Sequence, residues 1–123
     1  MIAVDTSAFI RFLRGVIDDF TDRFAEALET DLVYFPPPVL TELLSDPALP
    51  DPTREIIVSF PLLPIRTGYW ERAGLLRAEV IRAGLKAKLP DVLIAQSCID
   101  HDIPLITYDR DFRHFEAAGL KLI

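Results

Sequence analysis

Apolar residues fall in short blocks whose period changes along the chain. Ile2, Ala3 and Val4 form a continuous apolar run, which predicts a short buried strand over 2–5. Residues 7–14 then read as a helix closed by Gly15. Phe20, Phe24, Ala27 and Leu28 stand at helical spacing within 18–30, and "LVYF" at 32–35 is a β-branched and aromatic strand halted by "PPP". A helix over about 38–45 carries Val39, Leu40, Leu43 and Leu44 on one arc, with Glu42 well off its centre. "DPALPDP" is a turn-rich link, "TREIIVSF" a short helix and "PLLPI" a short strand. A long helix over roughly 67–83 stops at Gly84. Pro90 suits the first turn of a helix running to about Asp102, "IPLIT" is a strand, "DRDFRHFEAAG" a short helix ending at Gly119, and "LKLI" a last strand.

Strands apolar on both faces that alternate with helices imply an α/β fold, a mainly parallel sheet covered by helices on both sides. The 123 residues fit one domain, 1–123, with no repeat, linker or low-complexity tract. A chain of this size buries roughly two-thirds of the surface exposed when unfolded, enough for one real core. No apolar run approaches the ~18 residues of a membrane span, and only four residues precede Asp5, so neither a membrane segment nor a secretory leader is expected and the cytoplasm is the default. Cys98 is the only cysteine, which excludes an internal disulfide and suits a small core residue. His101 and His114 are too few and too far from other soft ligands for a zinc site.

Net charge is −6 and the pI about 4.8, against the broad basic footprint of many nucleic-acid binders. The average hides an asymmetry. Arg66, Arg72, Arg77, Arg82, Lys86 and Lys88 face only Glu71 and Glu79 in their segment, a net of +4 that leaves −10 for the rest. This segment could contact an anion such as RNA, although Arg72, Arg77 and Arg82 spread around a helix axis as an ordinary solvated helix would have them.

Position makes four acids informative, because ligands of open α/β sheets sit outside the carboxyl ends of the strands. Asp5 ends the first strand and Asp109 follows "LIT" just past another. Asp91 stands in a first helical turn on the face of Ala95 and Cys98, and Glu42 lies in the helix that follows "LVYF". Each has a local reading too: Asp5 as a cap before Thr6 and Ser7, Asp91 as a partner of the helix dipole, Glu42 as a solvated residue, Asp109 and Asp111 as turn and cap residues. Jointly, four carboxylates from four strand-to-helix regions would repel one another unless a cation held them. Hard oxygen ligands in such a crevice suit Mg²⁺ or Mn²⁺.

"IAVDTSAFI", "PPVLTELL", "KLPDVLIAQSC" and "IPLITYDRDFRHF", in this order across the chain, resemble the PIN-domain nucleases, in particular the single-domain VapC-type ribonuclease toxins. The resemblance implies a three-layer sandwich with a five-stranded, mostly parallel sheet, and an acidic metal cluster of Asp5, Glu42, Asp91 and Asp109. Asp111 would be an outer ligand, and Thr6, Ser7 and Thr107 hydroxyls that support the carboxylates. It further implies Mg²⁺- or Mn²⁺-dependent hydrolysis of RNA, a homodimer, and a VapB-type antitoxin that blocks the crevice. The short link from Glu42 to Asp91 carries no insert that would hint at the target. Haloacid-dehalogenase-like chemistry needs a second acid two residues after the first, where Ser7 stands; a receiver domain needs an Asp after the middle strand, and "LPIRTG" has none. A PIN-type RNA-processing nuclease outside a toxin pair and a non-catalytic PIN-like binding module remain alternatives.

Overall fold

A computed structural model describes residues 1–30 and 32–123. Strand β1 (Ile2–Val4) lies at the centre of a parallel sheet, flanked by β2 (Val33–Tyr34) and β3 (Leu105–Ile106). Ile2 pairs with Val33 and Ala3 with Tyr34 on one side; on the other, Ala3 pairs with Leu105 and Val4 with Ile106. Ala3, Val4, Val33, Leu105 and Ile106 are all buried, as a sheet covered on both faces requires.

The two outermost strands expected from "PLLPI" and "LKLI" are reduced to single parallel bridges, Phe35 with Leu62 beside β2 and Leu105 with Leu122 beside β3. The five-segment parallel order survives, but with three regular strands among the described residues. Pro61 and Pro64 have no N–H to extend a ladder, so the segment is held by two bonds at its middle: Phe35 N–H to the Pro61 carbonyl and Leu63 N–H to the Phe35 carbonyl, each 2.9 Å.

The helices are α1 (Thr6–Leu13), α2 (Asp19–Glu29), α3 (Pro37–Leu44), α4 (Asp51–Ser59), α5 (Tyr69–Arg82) and α6 (Leu89–Asp100). Their starts follow local chemistry. Asp5 caps α1, Asp18 and Thr21 cap α2 reciprocally, and α3, α4 and α6 carry proline in the first turn, where its missing N–H costs nothing. Helix α6 buries Val92, Ile94, Ala95, Gln96, Ser97 and Cys98 and packs against α3 and α5, which explains why its sequence is apolar almost all round. Phe9 of α1 meets Phe24, Phe35 and Phe60 edge to face at 5.2 to 5.8 Å, which anchors α1 and hence the turn at Asp5.

The short helix expected after Asp109 is a 3-10 helix, Arg110–Ala118. Phe112 and Phe115, three residues apart and both buried, fall on one side at three residues per turn.

Candidate active site

Four of the five acids singled out in the sequence line one cleft. Asp5, Glu42, Asp91 and Asp109, with Thr6, Ser7, Ile10 and Ile94, enclose about 280 Å³ at the carboxyl edge of the sheet. Because β1 and β3 are parallel neighbours, their carboxyl ends lie side by side, and this brings Asp5 close to the turn at Asp109 although 104 positions separate them.

Asp5 is only 4% exposed and is held on both oxygens. Oδ1 accepts from the Ala8 N–H at 2.9 Å and from the Ser7 hydroxyl at 2.8 Å; Oδ2 accepts from Ser7 at 3.0 Å and from Thr107 at 2.5 Å. Burial raises its pKa above the ordinary carboxylate value, against the lowering by the Thr107, Ala8 and Ser7 hydrogen bonds, and the Asp109 charge adds to the rise. The helix-cap reading and the site reading of Asp5 are therefore one geometry. Thr107 Oγ1 also accepts from the Asp109 N–H at 3.0 Å, so a single hydroxyl ties the two acids into a fixed relation.

Asp109 caps the 3-10 helix by accepting from the Asp111 N–H at 2.9 Å. Asp111 thus supports Asp109 through its backbone, while its side chain is not among those lining the cleft. Glu42, on α3, is exposed and steadied by the Thr6 hydroxyl of α1, which donates to Oε1 at 2.8 Å.

Asp91 differs from the others. Partial burial, then the charges of Asp109, Glu42 and Asp5, raise its pKa to about 6, and only Lys88 works in the other direction. Cys98, fully buried on the same helix, has its thiol pushed well up by burial and the nearby Asp5, so it is a packing residue.

Hard oxygen donors alone, in a cleft where burial and neighbouring acids raise the pKa of Asp91, fit a divalent cation such as Mg²⁺ or Mn²⁺. Among the described residues no group of three or more His, Cys, Asp or Glu side chains stands as a ready-made cage.

The basic segment does not act as one surface. Arg72 is committed to Asp100, with Nε to Oδ1 at 3.0 Å and Nη2 to Oδ2 at 2.6 Å, and also donates to the Thr67 carbonyl at 2.8 Å. Arg77 Nε donates to the Ala87 carbonyl at 2.8 Å, and Arg66 lies against His101. These three hold α5, α6 and the link before α5 together. Of the six, Lys88 is the one whose charge is felt in the cleft. Two cations that the sequence reading passed over, Arg110 and Arg113, stand instead beside Asp109, at the mouth of a second cavity that shares Asp109 with the first. The acids around them, Asp109, Asp111 and Glu116, cancel them in any count of net charge, and only the fold reveals that they face a cavity.

The family model for the PIN domain matches residues 2–118. Several solved structures share the fold. One is VapBC2 from Rickettsia felis, bound to a DNA fragment from the promoter (TM-score 0.74, 20% identity, covering 100% of this chain and 98% of that one). Another is VapBC-5 from Mycobacterium tuberculosis, of the VapBC family of toxin-antitoxin systems (0.70, 24%, 99% and 96%). FitAcB from Neisseria gonorrhoeae is a third (0.72, 17%, 100% and 96%). No curated protein matches the chain.

Proposed function

The chain belongs to the PIN domain family, and from that premise we propose that it is a metal-dependent endoribonuclease, the toxin of a VapBC-type toxin-antitoxin pair. PIN domains are generally nucleases. The observation that carries the reading is the convergence of Asp5, Glu42, Asp91 and Asp109 on one cleft, each from a different strand-to-helix region.

In this reading Asp5, Asp91 and Asp109 hold Mg²⁺ or Mn²⁺, with Glu42 either completing that set or orienting the attacking water. A cation held by these residues would supply a lowered pKa for bound water and offset charge on the phosphoryl oxygens. The protein's own part is positioning. Asp5 and Asp109 are fixed through Thr107, Glu42 is aimed by Thr6, and Asp111 acts through its N–H on Asp109. Water adds to phosphorus as the bond to the leaving ribose oxygen breaks, and the proton released by the water ends on that oxygen.

The solved structures similar in fold include VapBC2 and VapBC-5, the latter of the VapBC family of toxin-antitoxin systems, and this supports a VapB-type antitoxin as partner. A homodimer and a cytoplasmic setting belong to the same reading. No helix among the described residues is long and apolar enough to cross a membrane.

The test is incubation of the purified protein with single-stranded RNA and Mn²⁺ or Mg²⁺, beside EDTA and beside the Asp91→Asn variant. Internal cleavage that needs the metal and is lost in the variant supports the reading. Cleavage that survives EDTA, or equals that of the variant, overturns it.

A further inference from the structure

The cavity that adjoins the acidic cleft has a different chemistry. It encloses about 350 Å³ and is walled by Phe20, Thr107, Tyr108, Asp109, Arg110 and Arg113, with Leu122 and Ile123 behind. Asp109 lines both spaces, and Thr107, on this wall, bonds to Asp5 in the other, so one turn separates them. Arg110 and Arg113 are exposed, and among the described residues neither enters an ion pair. The aromatic wall, by contrast, is built and braced. Phe20 and Tyr108 meet edge to face at 5.1 Å, the Tyr108 hydroxyl donates to Asp18, which also caps α2, and the Arg11 guanidinium lies 4.0 Å over the Tyr108 ring.

Two uncommitted guanidinium groups next to a fixed aromatic wall, in a space of this size, match a nucleotide: phosphate for the arginines and a planar base for the rings. We propose that this cavity is the substrate subsite for the nucleotide next to the scissile phosphate, entered by an unpaired base of single-stranded RNA. The inference rests on the nuclease reading and adds to it a place for the RNA and a requirement for its form. A base can lie against Phe20 or Tyr108 only when unstacked from its neighbours, so duplex RNA is excluded. It also answers how an acidic protein holds a polyanion. The contact comes from Arg110 and Arg113, which the cleft's own acids do not neutralise by pairing, whereas Arg72 and Arg77 of the segment 66–88 are spent on structure.

Fluorescence anisotropy with a short labelled single-stranded oligoribonucleotide in Mn²⁺ tests this, using Asp91→Asn as the uncleaving parent. Added to that parent, Arg110→Ala with Arg113→Ala is expected to weaken binding roughly tenfold or more and to flatten the dependence of log K on log salt by roughly 0.7 per arginine. Phe20→Leu keeps the apolar bulk and removes the ring. It should weaken binding of the intact oligonucleotide by roughly fivefold or more, and leave unchanged the binding of one made abasic at the position the subsite reads. Full-affinity binding by both variants overturns the subsite, while metal-dependent cleavage by the unaltered protein would leave the nuclease reading standing. Absence of cleavage with arginine-dependent binding would fail the nuclease reading and keep the pocket. If a polyglutamate peptide binds through these arginines and RNA does not, the pocket is a protein-docking site and the proposal is wrong.

Discussion

Asp5 and Asp91 share one cleft and are built in opposite ways. Asp5 closes the central strand, is buried, and receives hydrogen bonds from Ser7, Ala8 and Thr107 on both oxygens. Asp91 opens α6, is half-buried, and has its pKa raised to about 6 by burial and by its acidic neighbours. The first carboxylate is a fixed post that the fold needs for its own reasons. The second favours the helix dipole from the first turn of α6, yet its charge is opposed by burial and by its neighbours, which a ligand of opposite charge would offset. A site can thus combine one acid whose position is guaranteed by helix capping with another whose charge is held in readiness.

The largest effect expected is on activity. Asp91→Asn should lower metal-dependent RNA cleavage by more than about a hundredfold, beyond the range typical of residues that only support a ligand, while the melting temperature stays level or rises. A loss of activity that tracked a loss of folding would erase the contrast with Asp5. Thr107→Val removes the hydroxyl that ties Asp5 to Asp109, and a fall of about 10- to 100-fold in metal affinity is expected, with most of the folding stability kept. Calorimetric titration of the divalent ion would measure it, and unchanged affinity would show that the tie is not needed.

Asp5→Ala strips the cap of α1 and leaves the Ala8 N–H and Thr107 hydroxyl without their acceptor. A loss of roughly 1–3 kcal/mol is expected in denaturant titration. Asp5→Asn keeps an acceptor oxygen and should lose far less, although both variants lose the site's charge. Equal stability of the two would mean that the cap is idle.

The smallest effect is on pH dependence, and its sign follows from the raised pKa of Asp91. Unfolded, this acid ionises near its ordinary value of 3.8; folded, near 6. The native state therefore holds the extra proton between these values. In chelator-treated protein, stability contributed by neutral Asp91 is present below about pH 4 and lost as pH rises to about 6. Partial exposure keeps this slope shallow. Asp91→Asn should remove it, and saturating Mg²⁺ should reverse the disadvantage of the charged form. A slope unchanged by the substitution would place the raised pKa elsewhere in the cleft.

Much of this was legible in the sequence because two strong periodicities coincide with it. The run Ile2-Ala3-Val4 before Asp5, and "IPLIT" before Asp109, announce buried parallel strands, and the rule that ligands gather at their carboxyl ends then selects the acids. What escaped depends on contacts between distant segments. Whether Leu62 and Leu122 belong to strands or to single bridges is decided by which N–H groups find a partner, and Pro61 and Pro64 limit this for one of them. Arg72 reads as a free cation until Asp100, 28 positions on, is seen beside it. Asp111 shares a motif with Asp109, yet it meets the site through its N–H, which Asp109 accepts, and is not among the residues that line the cleft. Arg110 and Arg113 lie among acids in the chain but beside aromatic rings in space.

Calorimetric titration of Mn²⁺ into the purified protein and into Asp91→Asn, at pH 7.5 and again at pH 5, examines the convergence of the four acids most directly. The unaltered protein should bind the ion at pH 7.5, bind it more weakly at pH 5 where Asp91 takes up its proton, and lose most of that affinity on substitution. Binding by the variant as tight as by the parent at both pH values would contradict the claim that these carboxylates form one metal site.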